Sequence, residues 1–337
     1  MLLWKNLRLF QVGFVLIKLS AKLSQLSIAK PLAPIRTKKM KYRILIIIIS
    51  LISQVSFAQT DFQSEFAKLC KINDTISQKK ILTKWEKQNP KDAELYTSYF
   101  NYYFLKSKKE VIALTTEKPK GEGLILKDSL NQTAGYLGSQ IYYDESNFNK
   151  SIEYINKGIG YFPNRLDMRF GKIYVYGVTE NWKDFTTEII KTVEYSNTNK
   201  NQWTWTNNEP VENPKDFFLG NIQSYVYQLY NTGNDSLLKN MREISETILK
   251  YYPNNIESLS NISVTYLLNK EYDKALKPLL RAEKLDPKDY IVLGNIAQAY
   301  KLKGDKKKSI EYYKKTAKYG DEKTKKYANE QITELKK

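Results

Sequence analysis

Apolar residues recur three and four apart in "SLSNISVTYLL" (258–268) and "KALKPLLRAEKL" (274–285), the spacing of two short amphipathic helices joined by the polar turn "NKEYD". Pro287 disfavours helical backbone at Asp286 and ends the second helix there. Pro278 lies within that helix, where its missing N–H predicts a bend unless it falls in the first turn. Towards the other end, Phe62, Phe66 and Leu69, then Ile81, Leu82 and Trp85, predict another helix pair over 61–89. "ELYTSYFNYYFL" sets Tyr96, Tyr99, Phe100 and Tyr103 on one helix face, which predicts core. "KKYANEQITELKK" sets Tyr327, Ala328, Ile332 and Leu335 opposite polar residues, as a closing helix would. Between 108 and 127 the pattern changes. Two short apolar runs flank Pro119, Gly121 and Gly123, which predicts a small β-hairpin.

The pattern also repeats. Tyr266 and Tyr300 are 34 residues apart, as are Pro253 and Pro287. Counting Ile256 as position 1, residues 256–289 carry Leu259 at 4, Ser263 at 8, Tyr266 at 11, Ala275 at 20, Leu279 at 24, Ala282 at 27 and Pro287 at 32. Unit 290–323 follows with Ala297, Tyr300, Ser309, Tyr313 and Thr316. Unit 132–165 matches through Ser139, Tyr142, Ser151, Ile155, Gly158 and Pro163, and 166–199 more loosely. This spacing resembles the tetratricopeptide repeat. The resemblance implies an all-α fold, a right-handed superhelical stack of helix-turn-helix repeats, forming a single domain over 59–337. Pro163 and Pro253 are 90 residues apart where two repeats need 68, so an inserted loop is expected at 200–221, where "KNQWTWTNNEPVENPKD" is aperiodic.

Composition changes the picture chiefly at the N-terminus. From Met40 the chain shows Lys41 and Arg43, an apolar run Ile44–Ile52, and small residues Ser56 and Ala58 before Gln59, the pattern of a signal peptide (40–58) cut between Ala58 and Gln59. The run is too short for a permanent span, so the mature chain is expected to be exported, periplasmic or secreted, and not membrane-spanning. Residues 1–39 read as an over-extended start. The first 58 residues hold ten Lys/Arg and no Asp/Glu, so the net charge of +18 falls to +8 without them. Most of that remainder sits in 301–337, as a solvated helical face rather than a nucleic-acid surface. Lys, Asn, Ile and Tyr richness is similar to that of Bacteroidota envelope proteins.

Histidine is absent, which removes Ser/His/Asp and Cys/His catalysis and the commonest zinc ligand. Cys70, the single cysteine, forms no intrachain disulfide and reads as a small core residue. No cofactor, metal or catalytic residue is expected. The resemblance implies protein or peptide binding in a groove of first-helix positions, here Tyr136, Gln140, Tyr143, Phe170 and Tyr174. The Lys and Asn that some members use on a peptide carboxylate are missing, with Ser260 and Val264, then Gly294 and Gln298, in their place. Trp203 and Trp205 in the inserted loop are expected to fold onto the groove, as plug or wall. Alternatives are a carbohydrate-binding envelope protein and, further off, a carboxylate-dependent hydrolase.

Overall fold

A computed structural model describes residues 61–118 and 123–337. The signal peptide, the start at Met40 and the Ala58–Gln59 cleavage site lie outside the described residues. The chain forms two compact units. Among the described residues, one holds the chain up to Lys108 with Asp144–Tyr154, and the other holds Lys109–Tyr143 with Ile155–Lys337.

In the first unit, α1 (Phe62–Lys71) and α2 (Thr75–Gln88) form the expected pair, and α3 (Ala93–Ser107) packs on them. Asp61 and Asp74 cap the first two helices by accepting the Ser64 and Ser77 N–H groups. Phe62 stacks on Trp85 at 5.7 Å, and the Trp85 indole N–H donates to Asp92 at 2.9 Å. The aromatic stripe of α3 is core, with Tyr96, Tyr99, Phe100 and Tyr103 all buried. The first turns of α4 (Glu145–Tyr161) close this unit, Tyr154 stacking on Tyr99 at 4.1 Å. Cys70 is half-buried against this core, and burial pushes its thiol up to about 11.

Between α3 and α4 the chain inserts a sheet. Strands β1 (Lys108–Thr115), β2 (Gly123–Lys127) and β3 (Thr133–Tyr143) are ordered β1-β3-β2, with β2 and β3 antiparallel. The expected hairpin is therefore corrected: β3 lies between the two runs. The first half of unit 132–165 is likewise strand rather than helix. Spacing alone suggested the repeat there, but "TAGYLGSQIYY" holds two glycines and three tyrosines, poor in a helix and suited to a pleated pair. The first-helix partner of α4 in chain order is α3.

The second unit continues in helix pairs: α5 (Leu166–Val178) with α6 (Trp182–Thr198), α7 (Pro214–Asn231) with α8 (Leu238–Tyr251), α9 (Ile256–Leu268) with α10 (Tyr272–Leu285), α11 (Tyr290–Lys303) with α12 (Lys306–Tyr319), then α13 (Glu322–Lys336). The inserted loop ends at Asn213, since Pro214 at the first helical position starts α7 inside the expected 200–221 span. Small residues bring the paired helices together with bonds in both senses. Ser263 Oγ donates to the Ala275 carbonyl at 2.8 Å, and one repeat on, Ser309 Oγ donates to the Ala297 carbonyl at 2.9 Å. A common turn joins three of the pairs. The N–H groups of Asn181, Glu271 and Asp305 bond the carbonyls of Tyr176, Tyr266 and Tyr300, five residues back, while Glu180, Lys270 and Gly304 take positive φ. α13 ends the stack, burying Ala328 and Ile332 against Ala297 and Tyr313.

Candidate functional site

The loop 199–213 is built from residues that tolerate left-handed backbone. Lys200, Asn201, Asn207, Asn208 and Asn213 all have positive φ, and asparagine bears that conformation better than most side chains. Backbone bridges pin the loop. Leu166 N–H donates to the Thr204 carbonyl and Thr204 N–H to that of Asn164, both at 2.9 Å, while Val211 N–H returns to Trp203. Arg165, 1% exposed, holds Asp167 through two bonds of 2.8 and 2.7 Å beneath it.

This scaffold places the two tryptophans differently. Trp203 is 2% exposed and packs on Tyr195 at 5.8 Å and Phe218 at 5.5 Å, with the Arg169 guanidinium 6.0 Å from its ring and 4.3 Å from that of Tyr195. Its indole N–H finds no acceptor among the described residues. Trp205 is half-buried, edge-on to Phe170 at 6.3 Å and to Phe217 at 5.4 Å.

Phe170 is the buried hub of α5, stacked on Phe218 at 6.3 Å and edge-on to Tyr225 at 5.6 Å. One helical turn on, Tyr174 is half-buried, and burial raises its phenol above the usual range. The phenol of Tyr143, at the end of β3, is raised first by burial and then by the charge of Tyr174. Tyr136 and Gln140 stand on β3, Tyr136 opposite Ile125. Tyr136, Gln140 and Tyr143 thus all occupy strand positions and not the first-helix positions expected of them.

The face formed by successive first helices continues through residues that the sequence reading passed over. On α7, Gln223, Tyr227 and Tyr230 are half-buried, with Tyr227 stacked on Tyr230 at 6.3 Å. Gln223 and Asn261, on α7 and α9, exchange two amide bonds of 3.2 and 2.7 Å. Asn295 on α11 occupies the repeat position of Asn261, yet its buried Nδ2 has no acceptor among the described residues. Counting back from Pro253 by the same period reaches Ile222 as position 1 and Gln223, Tyr227 and Tyr230 as positions 2, 6 and 9. All three lie just past the expected loop, in a unit that the repeat spacing left uncounted.

Other polar chemistry is spent on packing. Lys172 and Glu188 form a buried pair at 2.6 Å, and burial lowers the Arg169 pKa against the opposing pull of Glu188. Among the described residues no group of His, Cys, Asp and Glu could hold a metal, and no helix is long and apolar enough to cross a membrane.

Comparison with known proteins locates one repeat. Residues 291–318 match the tetratricopeptide repeat. The match runs from α11 into α12 and includes the Ala297–Ser309 contact. No curated protein sequence matches the chain. Among solved structures, the chain is similar to YrrB, described as a TPR protein with an unusual peptide-binding site, at 15% identity and TM-score 0.38, over 74% of this chain and 97% of that one. It is also similar to the TPR domain of P58(IPK), at 10% identity and TM-score 0.29, over 88% and 70%. A third is the APC/C hetero-tetramer Cut9–Hcn1, at 10% identity and TM-score 0.32, over 87% and 46%.

Proposed function

We propose that the chain is an exported, non-catalytic scaffold that binds a protein segment or peptide along the first-helix face of its repeats. The observation that carries this reading is the composition of that face. Half-buried rings at Tyr174, Tyr227 and Tyr230 lie along the same helices as the mutually bonded Gln223–Asn261 amide pair and the buried amide of Asn295. Rings supply apolar contact at small entropic cost, and side-chain amides both donate to and accept from peptide groups. The Asn295 side-chain donor has no acceptor among the described residues, and a main-chain carbonyl would offer one. Trp205 and Phe217 extend the apolar part, held in place by the bridged loop. Export rests on the signal pattern ending at Ala58, with Gln59 as the first mature residue.

Peptide display against the chain tests the binding face. Peptides selected on the parent chain should lose about tenfold or more in affinity, roughly 1.4 kcal/mol or more, on Tyr227→Ala or Asn295→Ala. Equal binding by parent and both variants would place the site elsewhere. Export is tested separately by mass spectrometry of the natively produced chain, which should begin at Gln59. Recovery of residues 1–39 in that product would remove the export reading.

A further inference from the structure

The inserted sheet carries an apolar face that no described residue covers. Ser139 Oγ donates to the Glu110 carboxylate, and a Cβ on Gly135 would stand 3.5 Å from Leu114 Cδ1, so even residues of β1 share a face with odd residues of β3. The register of β2 on β3, Leu124 opposite Leu137 and Leu126 opposite Gly135, adds the even residues of β2. The face therefore gathers Ile112, Leu114, Leu124, Leu126, Leu137 and Ile141. All but the half-buried Leu137 are 37–78% exposed.

Three strands with an aliphatic face open to water are marginal unless that face is packed. The exposed fractions amount to about three whole Leu or Ile side chains, on the order of 500 Å² with the adjoining backbone carbon, near the upper end for a monomer's largest patch. An aliphatic sheet face packs face to face on another such sheet, with the two inner rows of side chains interdigitating. Its charges, Lys108 and Glu110, are opposite in sign and sit together at one end of β1, with Glu110 already bonded to Ser139. Two copies can meet here without burying a charge at the centre. Pairing two such faces would remove about 1,000 Å² from water, the lower bound for a specific interface between proteins.

We propose that this face is covered by the same face of a second copy of the chain, the two sheets packed face to face about a two-fold axis. Self-pairing makes the contact closed, so it yields a dimer and not a filament.

Sedimentation velocity of the chain at micromolar concentration tests this, with Leu124→Lys and Ile112→Lys as disrupting variants. Ile76→Lys on α2, where an equally exposed isoleucine lies off the sheet, is the control for general stickiness. The parent and Ile76→Lys should sediment as dimers, and each sheet variant should dissociate by about a hundredfold or more, with unchanged helical circular dichroism. Hydrogen exchange on the parent chain serves if a variant misfolds: dilution should deprotect the segments holding Ile112–Thr115 and Leu124–Lys127. A parent chain that stays monomeric overturns the proposal, as does a dimer indifferent to both sheet charges, concentration-dependent protection confined to other segments, or dissociation by Ile76→Lys as well. Capture of the monomer by phosphatidylglycerol-containing vesicles, lost in Leu124→Lys, would assign the face to a lipid surface instead.

Discussion

Glu188 faces two buried cations, and its neighbourhood shows what single residues contribute here. Lys172 bonds it at 2.6 Å, and Arg169 feels its charge while donating to the Pro163 carbonyl at 3.1 Å. Removing one charge leaves another buried without its partner, so Glu188→Gln should cost about 3–5 kcal/mol in chemical denaturation. The double variant Lys172→Met with Glu188→Met should recover most of that loss, because well-packed apolar side chains replace a buried pair at little net cost. Recovery absent in the double variant would mean that Arg169, not Lys172, is the cation Glu188 chiefly serves. The loop tryptophans separate in the same measurement. Trp203→Ala opens a cavity among Tyr195 and Phe218 and should cost about 3–5 kcal/mol. Trp205→Ala removes a half-buried ring and should cost only about 1 kcal/mol. Peptide affinity should follow the opposite order, falling with Trp205 and sparing Trp203 in whatever fraction stays folded.

At the scale of elements, the recurring turn between paired helices makes a test of its own. Glu180, Lys270 and Gly304 stand at the same repeat position with φ of 56°, 62° and 90°. Only the third is glycine, and a side chain in left-handed backbone costs about 1–2 kcal/mol, part of which glycine returns as unfolded-state entropy. Lys270→Gly should therefore raise stability by about 0.5–1 kcal/mol and Gly304→Ala lower it by about 1 kcal/mol, read from denaturation midpoints. Opposite signs would show that the turn is set by tertiary packing and not by local backbone preference. The repeat that carries this turn was legible where period and helix chemistry agree, as at Ser263/Ala275 and Ala297/Ser309. It was illegible where one was present without the other. Ser139 and Tyr142 kept the period but lie in a glycine-containing strand, whereas α7 and α8 had the helix chemistry while the loop before them shifted the count. Of the candidate site, Phe170 and Tyr174 were readable because their unit keeps first-helix spacing. Tyr227 and Tyr230 were not, and the burial of Trp203 depends on backbone bridges to Asn164 and Leu166 that no local pattern announces.

For the whole molecule, the distribution of titrating groups predicts how stability follows pH. No histidine is present, so nothing of that type titrates near neutrality. Asp74 and Asp321 are held below the usual carboxylate range by the helix-cap bonds they accept, so their contribution is present above the ordinary value near 4 and is lost only as the solution becomes more acid. On the alkaline side the shifts run upward. Burial pushes Cys70 up to about 11 and Tyr154 and Tyr176 up to about 12, and it raises Tyr99, Tyr225 and Tyr313 further. Each of these groups is neutral in the folded chain at a pH where the unfolded chain already releases its proton. The unfolded state thus binds fewer protons above about pH 9–10, and stability must fall with rising pH from there. The melting temperature should accordingly be level from about pH 5 to 9 and drop steeply beyond. Phenolate absorbance at 295 nm should show the buried tyrosines ionising together with the loss of helical signal, not before it. Early, gradual ionisation of all the tyrosines while the helices persist would contradict the burial of these rings. A step in stability between pH 6 and 8 would require a titrating group that the described residues do not provide.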